Sequence, residues 1–464
     1  MTTTTSEFRQ RAALAIEDER LQSALDTATE NFRQARDQAF AELPDAEALR
    51  DHFKSLRQAT LGQLAQHLET FETRAREAGA QVHWARDGAE ACATIVQIAR
   101  RHQVKLAVKG KSMATEEIHL NQALEEAGVE AVETDMGDWL VQLARETPSH
   151  IIAPAIHKTR QQAAELLSRE AGQPLPADDI PALTAAARAL MRQRFLNAGM
   201  GISGGNIAVA ESGSLVLVTN EGNGRMATSV PPLHVALIGI EKVAPTWDEA
   251  AVWLALLGRS AAGQPLSVYT SVLTGPARAA DADGPRELHI VLLDNGRSRL
   301  LGTKYEEVLQ CIRCGACLNV CPVYREAGGH AYGSPYCGPI GAVITPLLFG
   351  LEEYEALPHA SSLCGACRDV CPVRIDLPRM LIELRADEVE KRVLPWRQRK
   401  LEEAAAFVLK NDKLMGFLSA ALRRVQGPFV RAGGLKSGGD RQLPGLAPRS
   451  FRQLWAAGAL EEKK

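Results

Sequence analysis

Eight of the nine cysteines fall between Cys311 and Cys371, and their spacing is that of metal ligands. The first run reads Cys311-Ile-Arg-Cys314-Gly-Ala-Cys317-Leu-Asn-Val-Cys321-Pro322, the C-x2-C-x2-C-x3-C-P order of a bacterial two-cluster ferredoxin. The second, Cys364-Gly-Ala-Cys367-Arg-Asp-Val-Cys371-Pro372, repeats it with Ser361 where the first cysteine should stand. Cys337 lies between the runs. Three thiolates at two-residue intervals wrap one face of a cubane, because a loop of that spacing turns its sulfurs inward. The fourth cysteine follows three residues later, ahead of a proline, so its sulfur reaches the other cluster. This assigns Cys311, Cys314, Cys317 and Cys371 to one [4Fe–4S] cluster, and Cys321, Cys364 and Cys367 to a second. The second cluster's fourth ligand is open between Cys337 and Ser361, and without one it would be [3Fe–4S].

Competing uses of the cysteines fit less well. A disulfide framework needs an oxidising compartment, and the opening Met-Thr-Thr-Thr-Thr-Ser-Glu-Phe carries no apolar signal segment. Zinc suits one C-x2-C pair, but two tandem triplets each closed by Cys-Pro exceed a tetrahedral site. Reduced, clustered cysteines point to the cytoplasm. No window holds eighteen uninterrupted apolar residues, so no membrane span is expected.

With 53 Lys+Arg against 56 Asp+Glu, the formal charge is −3, which gives no reason to expect a nucleic-acid partner. The charge is uneven. From Lys391 to Lys464 there are sixteen Lys/Arg and six Asp/Glu, or +10, which leaves −13 for the rest. That tail is either a docking surface for an acidic partner or membrane face, or a solvated helical face.

The elements that must position the cysteines divide the chain in four. Residues 1–78 read as helices, with Leu14, Ile16, Leu21 and Leu25 near helical spacing and Pro44 as a break. Their Glu- and Arg-rich faces read as solvated surface. Residues 79–302 alternate strands and helices, the mark of an α/β layer with a largely parallel sheet. Strand candidates are Val82–Trp84, Lys105–Lys109, Val129–Thr134, His150–Pro154, Gly205–Ala210, Ser214–Thr219, His234–Ile240 and Leu288–Asp294. Helices are expected at Ala89–His102, Thr115–Ala127 and Trp139–Arg145. Residues 303–388 turn helical again, with Ile340–Leu351 between the cysteine runs, so an α-helical dicluster ferredoxin domain is expected. Residues 389–464 form a basic helical extension, with a Gly/Pro-rich linker at Gly433–Pro448 and a last helix at Phe451–Ala459. The fold class expected is α/β plus α.

Other motifs lie at strand ends. Lys109-Gly110-Lys111-Ser112 offers free N–H groups and two lysines to an anion, without the spacing of a phosphate loop. Ser203-Gly-Gly205-Asn206 and Glu221-Gly-Asn-Gly224-Arg225 read as simple turns, or as the rim of a cleft at the carboxyl edge of a parallel sheet. In the second case Arg225 and His234 would hold a carboxylate or phosphate. Glu211 reads as a strand-end turn residue, or else as an acid or nucleophile; His157 and Lys158 read as a weak site, and Cys92 as core.

With these residues in hand, the chain resembles the lactate utilization protein B family, the iron–sulfur subunits of a bacterial L-lactate oxidation system. The resemblance rests on both cysteine runs, Val108-Lys-Gly-Lys-Ser112, Glu133-Thr-Asp135, Ser203-Gly-Gly-Asn206, Thr219-Asn-Glu-Gly222 and Gly338-Pro-Ile-Gly341, and spans most of the chain. It implies a lactate-utilization domain of sugar-isomerase/CoA-transferase-like α/β fold and a dicluster ferredoxin module. It also implies two partners, lactate utilization proteins A and C. Two linked clusters form a short wire, and no G-x-G-x-x-G fingerprint follows an early strand, so a self-contained NAD dehydrogenase is not expected. The first expectation is an electron-transfer subunit of a complex oxidising L-lactate to pyruvate. The alternatives are a subunit that binds the 2-hydroxy acid itself, and a cluster-based redox sensor or assembly protein.

Overall fold

The computed structural model describes residues 4–394, 396–431, 435–436, 442–443 and 447–458. It divides into two compact units, Met1–Glu388 and Val389–Lys464.

The strands of the first unit are β1 (Gln81–Ala85), β2 (Leu106–Lys109), β3 (Glu130–Glu133), β4 (Met200–Ser203), β5 (Ile207–Val209), β6 (Ser214–Thr219), β7 (Leu233–Gly239), β8 (Val243–Ala244), β9 (Tyr269–Leu273) and β10 (Glu287–Leu293). Six make one parallel sheet in the order β1-β10-β7-β4-β2-β3. Every residue of β7 is buried, as are six of the seven in β10. Such near-continuous apolar runs mark strands covered on both faces. One face packs on the helix Gly88–Arg101 and its neighbours; on the other, β2 and β3 meet Arg160–Ala171 and Ile180–Asn197, while β1, β7 and β10 join the core that holds the remaining strands. The remaining strands form a smaller sheet, β8-β5-β6-β9, in which β6 runs antiparallel to both neighbours.

The N-terminal helices Thr5–Glu17, Glu19–Ala41, Ala46–Gly62 and Leu64–Glu77 share one continuous core with the small sheet and the cysteine module. Leu25, Phe53 and Trp253 lie in the same cluster as Cys314, Cys321 and Cys337. The chain's first segment is therefore a bracket around the site. Leu14 and Ile16 stay exposed, because the first helix buries none of its residues completely.

Three expectations need correction. His150–Pro154 is a turn and not a strand: the Nδ1 atom of His150 accepts the N–H groups of Ile152 and Ala153, each at 3.1 Å, so the chain curls around the imidazole. The helix expected over Thr115–Ala127 is split into Met113–Glu117 and Leu120–Glu126 by His119, at φ 54°. The basic faces of the N-terminal helices are not all solvated, since Arg36, Arg50 and Arg57 are buried.

In the second unit the helices are Trp396–Lys410, Asp412–Arg431 and Phe451–Ala456. Most of the Gly433–Pro448 linker and the end of the last expected helix, Ala459, lie outside the described residues.

Candidate metal centre

The two cysteine runs fold into the same turn. Arg313 (φ 58°) and Gly315 (φ 77°) take left-handed backbone in the first, and Leu363 (φ 56°) and Gly365 (φ 88°) do so at matching positions in the second. Alternating handedness gathers backbone N–H groups into a concave nest of the kind that receives anions and iron–sulfur groups. The short helices Ala316–Asn319 and Ala366–Asp369 then carry the chain to Cys321 and Cys371. Backbone N–H groups aim at the sulfurs: Arg313 donates to Cys311 Sγ (3.4 Å), Tyr324 to Cys321 Sγ (3.5 Å) and Ile375 to Cys371 Sγ (3.4 Å). Leu363 N–H donates to Ser361 Oγ at 3.1 Å, so the serine hydroxyl takes the part that Cys311 takes in the first run.

The thiols fall into two electrostatic neighbourhoods. Burial, then Cys371 and Cys311, pushes Cys314 up to about 12. Burial with Cys314, Cys311, Cys367 and Cys371 pushes Cys317 well above its ordinary value, and burial with Cys311 raises Cys371 to about 11. In the other neighbourhood, burial and Cys364 raise Cys321, burial with Cys321 and Cys364 takes Cys367 to about 12, and burial with Cys321 takes Cys337 to about 12. Cys317 senses Cys367, so the two neighbourhoods adjoin.

This donor set fits iron–sulfur clusters. Buried thiols crowded together resist ionisation, and a metal that binds them supplies the charge that drives their protons off. Zn–S bonds of about 2.3 Å hold the four sulfurs of a zinc site close together. Among the described residues no set of three ligand atoms within 4.8 Å of one another includes a cysteine. The wider spread suits a multi-iron group.

In the first set Cys314 and Cys371 are buried and Cys311 and Cys317 half-buried; in the second, Cys321, Cys337 and Cys367 are buried and Cys364 alone is exposed. Neighbouring elements brace both runs. The Arg50 guanidinium donates to the Cys371 carbonyl (2.7 Å) and the Asp369 carbonyl (2.5 Å), and Arg36 donates to the Val370 carbonyl (2.8 Å). The turn at Ser149 covers the other side. Its carbonyl accepts from Tyr324 Oη (2.7 Å), while His150 Nε2–H donates to Asn319 Oδ1 (3.1 Å).

Sequence reasoning missed these braces. One signal was available, because Arg50, Phe53, Arg57, Thr60 and Leu61 form a single buried stripe at helical spacing, with arginines on the core face. No such signal marks Ser149.

Beyond the carboxyl ends of the strands lies a cavity of about 690 Å³. Lys111 and Ser112 follow β2, Asp135 follows β3, Asn206 follows β4 and Glu241 follows β7, while Ile312 and Arg313 of the first cysteine run close it. Two of the sequence motifs therefore meet. Gly204 makes the meeting possible, since a Cβ there would stand 2.8 Å from Ser112 Oγ.

The other candidates are not brought together. His234 is buried inside the sheet, 2.8 Å from Ser203 Oγ, and Arg225 is exposed; neither lines the cavity. Glu211 Oε1 accepts the Trp247 N–H (2.7 Å), which is a turn role. His157 and Lys158 both engage Glu146. Cys92 Sγ donates to the Ile118 carbonyl (3.3 Å) at the edge of the core.

Comparison with known proteins agrees with this division of labour. Residues 68–293 match the LUD domain family, and residues 307–375 match a 4Fe-4S dicluster domain. The chain is 45% identical to lactate utilization protein B of Bacillus velezensis over 83% of this chain and 81% of that one. It is 41% identical to lactate utilization protein B of Shouchella clausii, covering 97% and 96% of the two chains. An electron transport protein of Escherichia coli (strain K12) is 40% identical, covering 100% of this chain and 99% of its own. The chain belongs to the lactate utilization protein B family.

Proposed function

We propose that this chain is the iron–sulfur electron-transfer subunit of an assembly that oxidises L-lactate to pyruvate. The observation that carries the reading is the pair of adjoining thiol neighbourhoods, one on the run whose Ile312 and Arg313 line the cavity and the other reaching the surface at Cys364. Cys311, Cys314, Cys317 and Cys371 would hold one [4Fe–4S] cluster, and Cys321, Cys364, Cys367 and Cys337 the other. Such clusters, when bound, carry one electron at a time at potentials set by charge, hydrogen bonds to sulfur and exposure. The chain's own part is to cross the ligands, so that Cys321 and Cys371 keep the two sites close. It also braces the first site with Arg50 and Arg36 at Cys371, covers Cys337 of the second with the Ser149 turn, and leaves that site's edge at Cys364 open to a partner.

In this reading residues 1–78 bracket the site, 79–302 form the lactate-utilization domain, 303–388 the dicluster domain and 389–464 a basic extension. The partners are lactate utilization proteins A and C. The place of work is the cytoplasm, at the inner membrane face. No helix of the described residues is long and apolar enough to cross a membrane, which fits peripheral attachment.

Anaerobic affinity purification from lactate-grown cells tests the reading. Two co-eluting subunits and about eight irons per chain are expected from two cubanes. A zinc-only protein, or one that elutes alone with a single spin system, would overturn it.

A further inference from the structure

The cavity beside the first cysteine run has the size of a ligand site, about 690 Å³ against the usual range of about 300–1,000 Å³. Its position, outside the carboxyl ends of parallel strands, is where open α/β folds bind ligands. Its cations are the informative part.

Three of the cations are already engaged. Arg297 donates to Glu241 (2.6 Å) and to both oxygens of Glu117 (2.8 and 2.7 Å). Lys242 donates to the Cys311 carbonyl (2.6 Å), and Lys158 pairs with Glu146. Two others are not. Lys111 Nζ is buried without a hydrogen-bond partner, and so are both terminal nitrogens of Arg313. The Arg313 side chain is only 9% exposed; it lies 4.9 Å over the Tyr336 ring and 3.5 Å from Glu241, whose carboxylate is already bound by Arg297. Buried cations with unused donors are costly unless an anion meets them, and a guanidinium fork matches a carboxylate.

We propose that the cavity binds a small organic monocarboxylate, a 2-hydroxy or 2-oxo acid, with its carboxylate against Lys111 and Arg313. Asp135 and Glu221 line the same cavity. They would repel a dianionic phosphate, and they offer acceptors to the hydroxyl of a 2-hydroxy acid. Arg313 stands between Cys311 and Cys314 and receives its left-handed backbone from the cysteine turn. An acid held by Arg313 therefore sits against the loop of the first cysteine set, and its charge is felt there. The identity of the acid rests on the electron-transfer reading above; the existence of the anion site does not.

The test uses the full chain, reconstituted anaerobically, with iron content measured on the same sample. Calorimetric titration with L-lactate and pyruvate should show binding, and inorganic phosphate should bind at least tenfold more weakly. Arg313→Gln and Lys111→Met should each weaken carboxylate binding at least tenfold. Saturating L-lactate should also shift the EPR spectrum of the reduced protein, with a smaller shift in Arg313→Gln. If Arg313→Gln loses iron, Lys111→Met decides, because it lies outside the cysteine runs. Absence of carboxylate binding with iron present, preference for phosphate, or unchanged affinity in Lys111→Met overturns the proposal. Each of those results leaves iron content and partner capture untouched, and only those two measurements can sink the electron-transfer reading.

Discussion

The Cys337 thiol lies 3.5 Å from the carbonyl oxygen of Ser149, buried beneath the turn that also receives Tyr324 Oη. It is the deeper of the two candidates for the second set's fourth ligand, Cys337 being buried and Ser361 half-buried. Cys337 shares the electrostatic neighbourhood of Cys321. Ser361, by contrast, holds the position of a ligand in the repeated turn, but with an oxygen that accepts Leu363 N–H. Thiolate is the usual cluster ligand, and a hydroxyl is hard to ionise near neutral pH. Cys337→Ser should therefore lose about four irons or develop a [3Fe–4S] EPR signal, with the Cys311 set still loaded. Ser361→Ala should keep its iron. The reverse pattern in iron analysis would give the role to the serine.

Arg50 is expected to govern how long the clusters last and not whether the chain folds. Its guanidinium ties the helix Ala46–Gly62 to the carbonyls of Asp369 and Cys371. Arg50→Met keeps the stem packed but frees those carbonyls. Anaerobic protein should show unchanged circular dichroism. In air, its cluster absorbance should bleach several-fold faster than wild type, and equal bleaching rates would remove the arginine from this role.

How much of this was legible in the sequence depends on range. The cysteine turns are local: a C-x2-C-x2-C loop closes on itself, so spacing alone defines the nest around Gly315 and Gly365. The strands β2, β3, β7 and β10 were equally legible, because apolar runs ending at Gly or Asp punctuate themselves. His150–Pro154 misled for a physical reason, since Ile151 and Ile152 look like strand but are bent around an imidazole that binds Asn319, 169 residues away. The convergence of Lys111 with Arg313 was equally hidden. Each motif was visible, but the two meet only because the sheet edge is set against the cysteine module.

The tie between that sheet edge and the module should be expensive to cut. Glu117 accepts from Arg297 through both oxygens and from the Tyr336 hydroxyl (2.5 Å), and all three side chains are buried. Arg297 holds Glu117 below the ordinary carboxylate range despite its burial. Glu117→Gln leaves the guanidinium half unpaired. Breaking a buried pair from one side costs about 3–5 kcal/mol, so a large drop in the urea midpoint is expected. A change below about 1 kcal/mol, the scale of a surface pair, would mean that the network adds little.

His234 predicts an acid-side loss of stability. Burial, with His289 as the titratable neighbour, lowers its pKa from 6.5 to about 3, so the folded protein keeps it neutral. Below pH 6.5 the unfolded chain takes up a proton that the folded chain refuses. Stability from this group is therefore complete above 6.5 and falls as pH drops towards 3. The slope is about 1.4 kcal/mol per pH unit. His234→Gln retains a donor for Ser203 but cannot titrate. Compared by urea unfolding between pH 6.5 and 5, the variant should show a shallower pH slope than wild type by about that amount. Parallel slopes would mean that His234 is accessible to protons in the folded state.

The second unit is expected to carry attachment and not electron transfer. Residues Lys391–Lys464 hold sixteen basic and six acidic side chains. Its helices also leave Trp396, Leu401, Phe407 and Phe417 more than 60% exposed. Basic helices with exposed aromatic and aliphatic faces suit the surface of an anionic membrane, through charge attraction and shallow apolar insertion. Protein lacking Val389–Lys464 should keep the iron content and EPR spectrum of the full chain. It should also lose flotation with vesicles of mixed neutral and anionic lipid. Binding by the full chain should weaken as salt rises from about 0.1 to 1 M, where the screening length falls from about 10 to 3 Å. A truncated protein that loses its clusters would make the segment structural cover. One that floats as well as the full chain would place the membrane contact elsewhere.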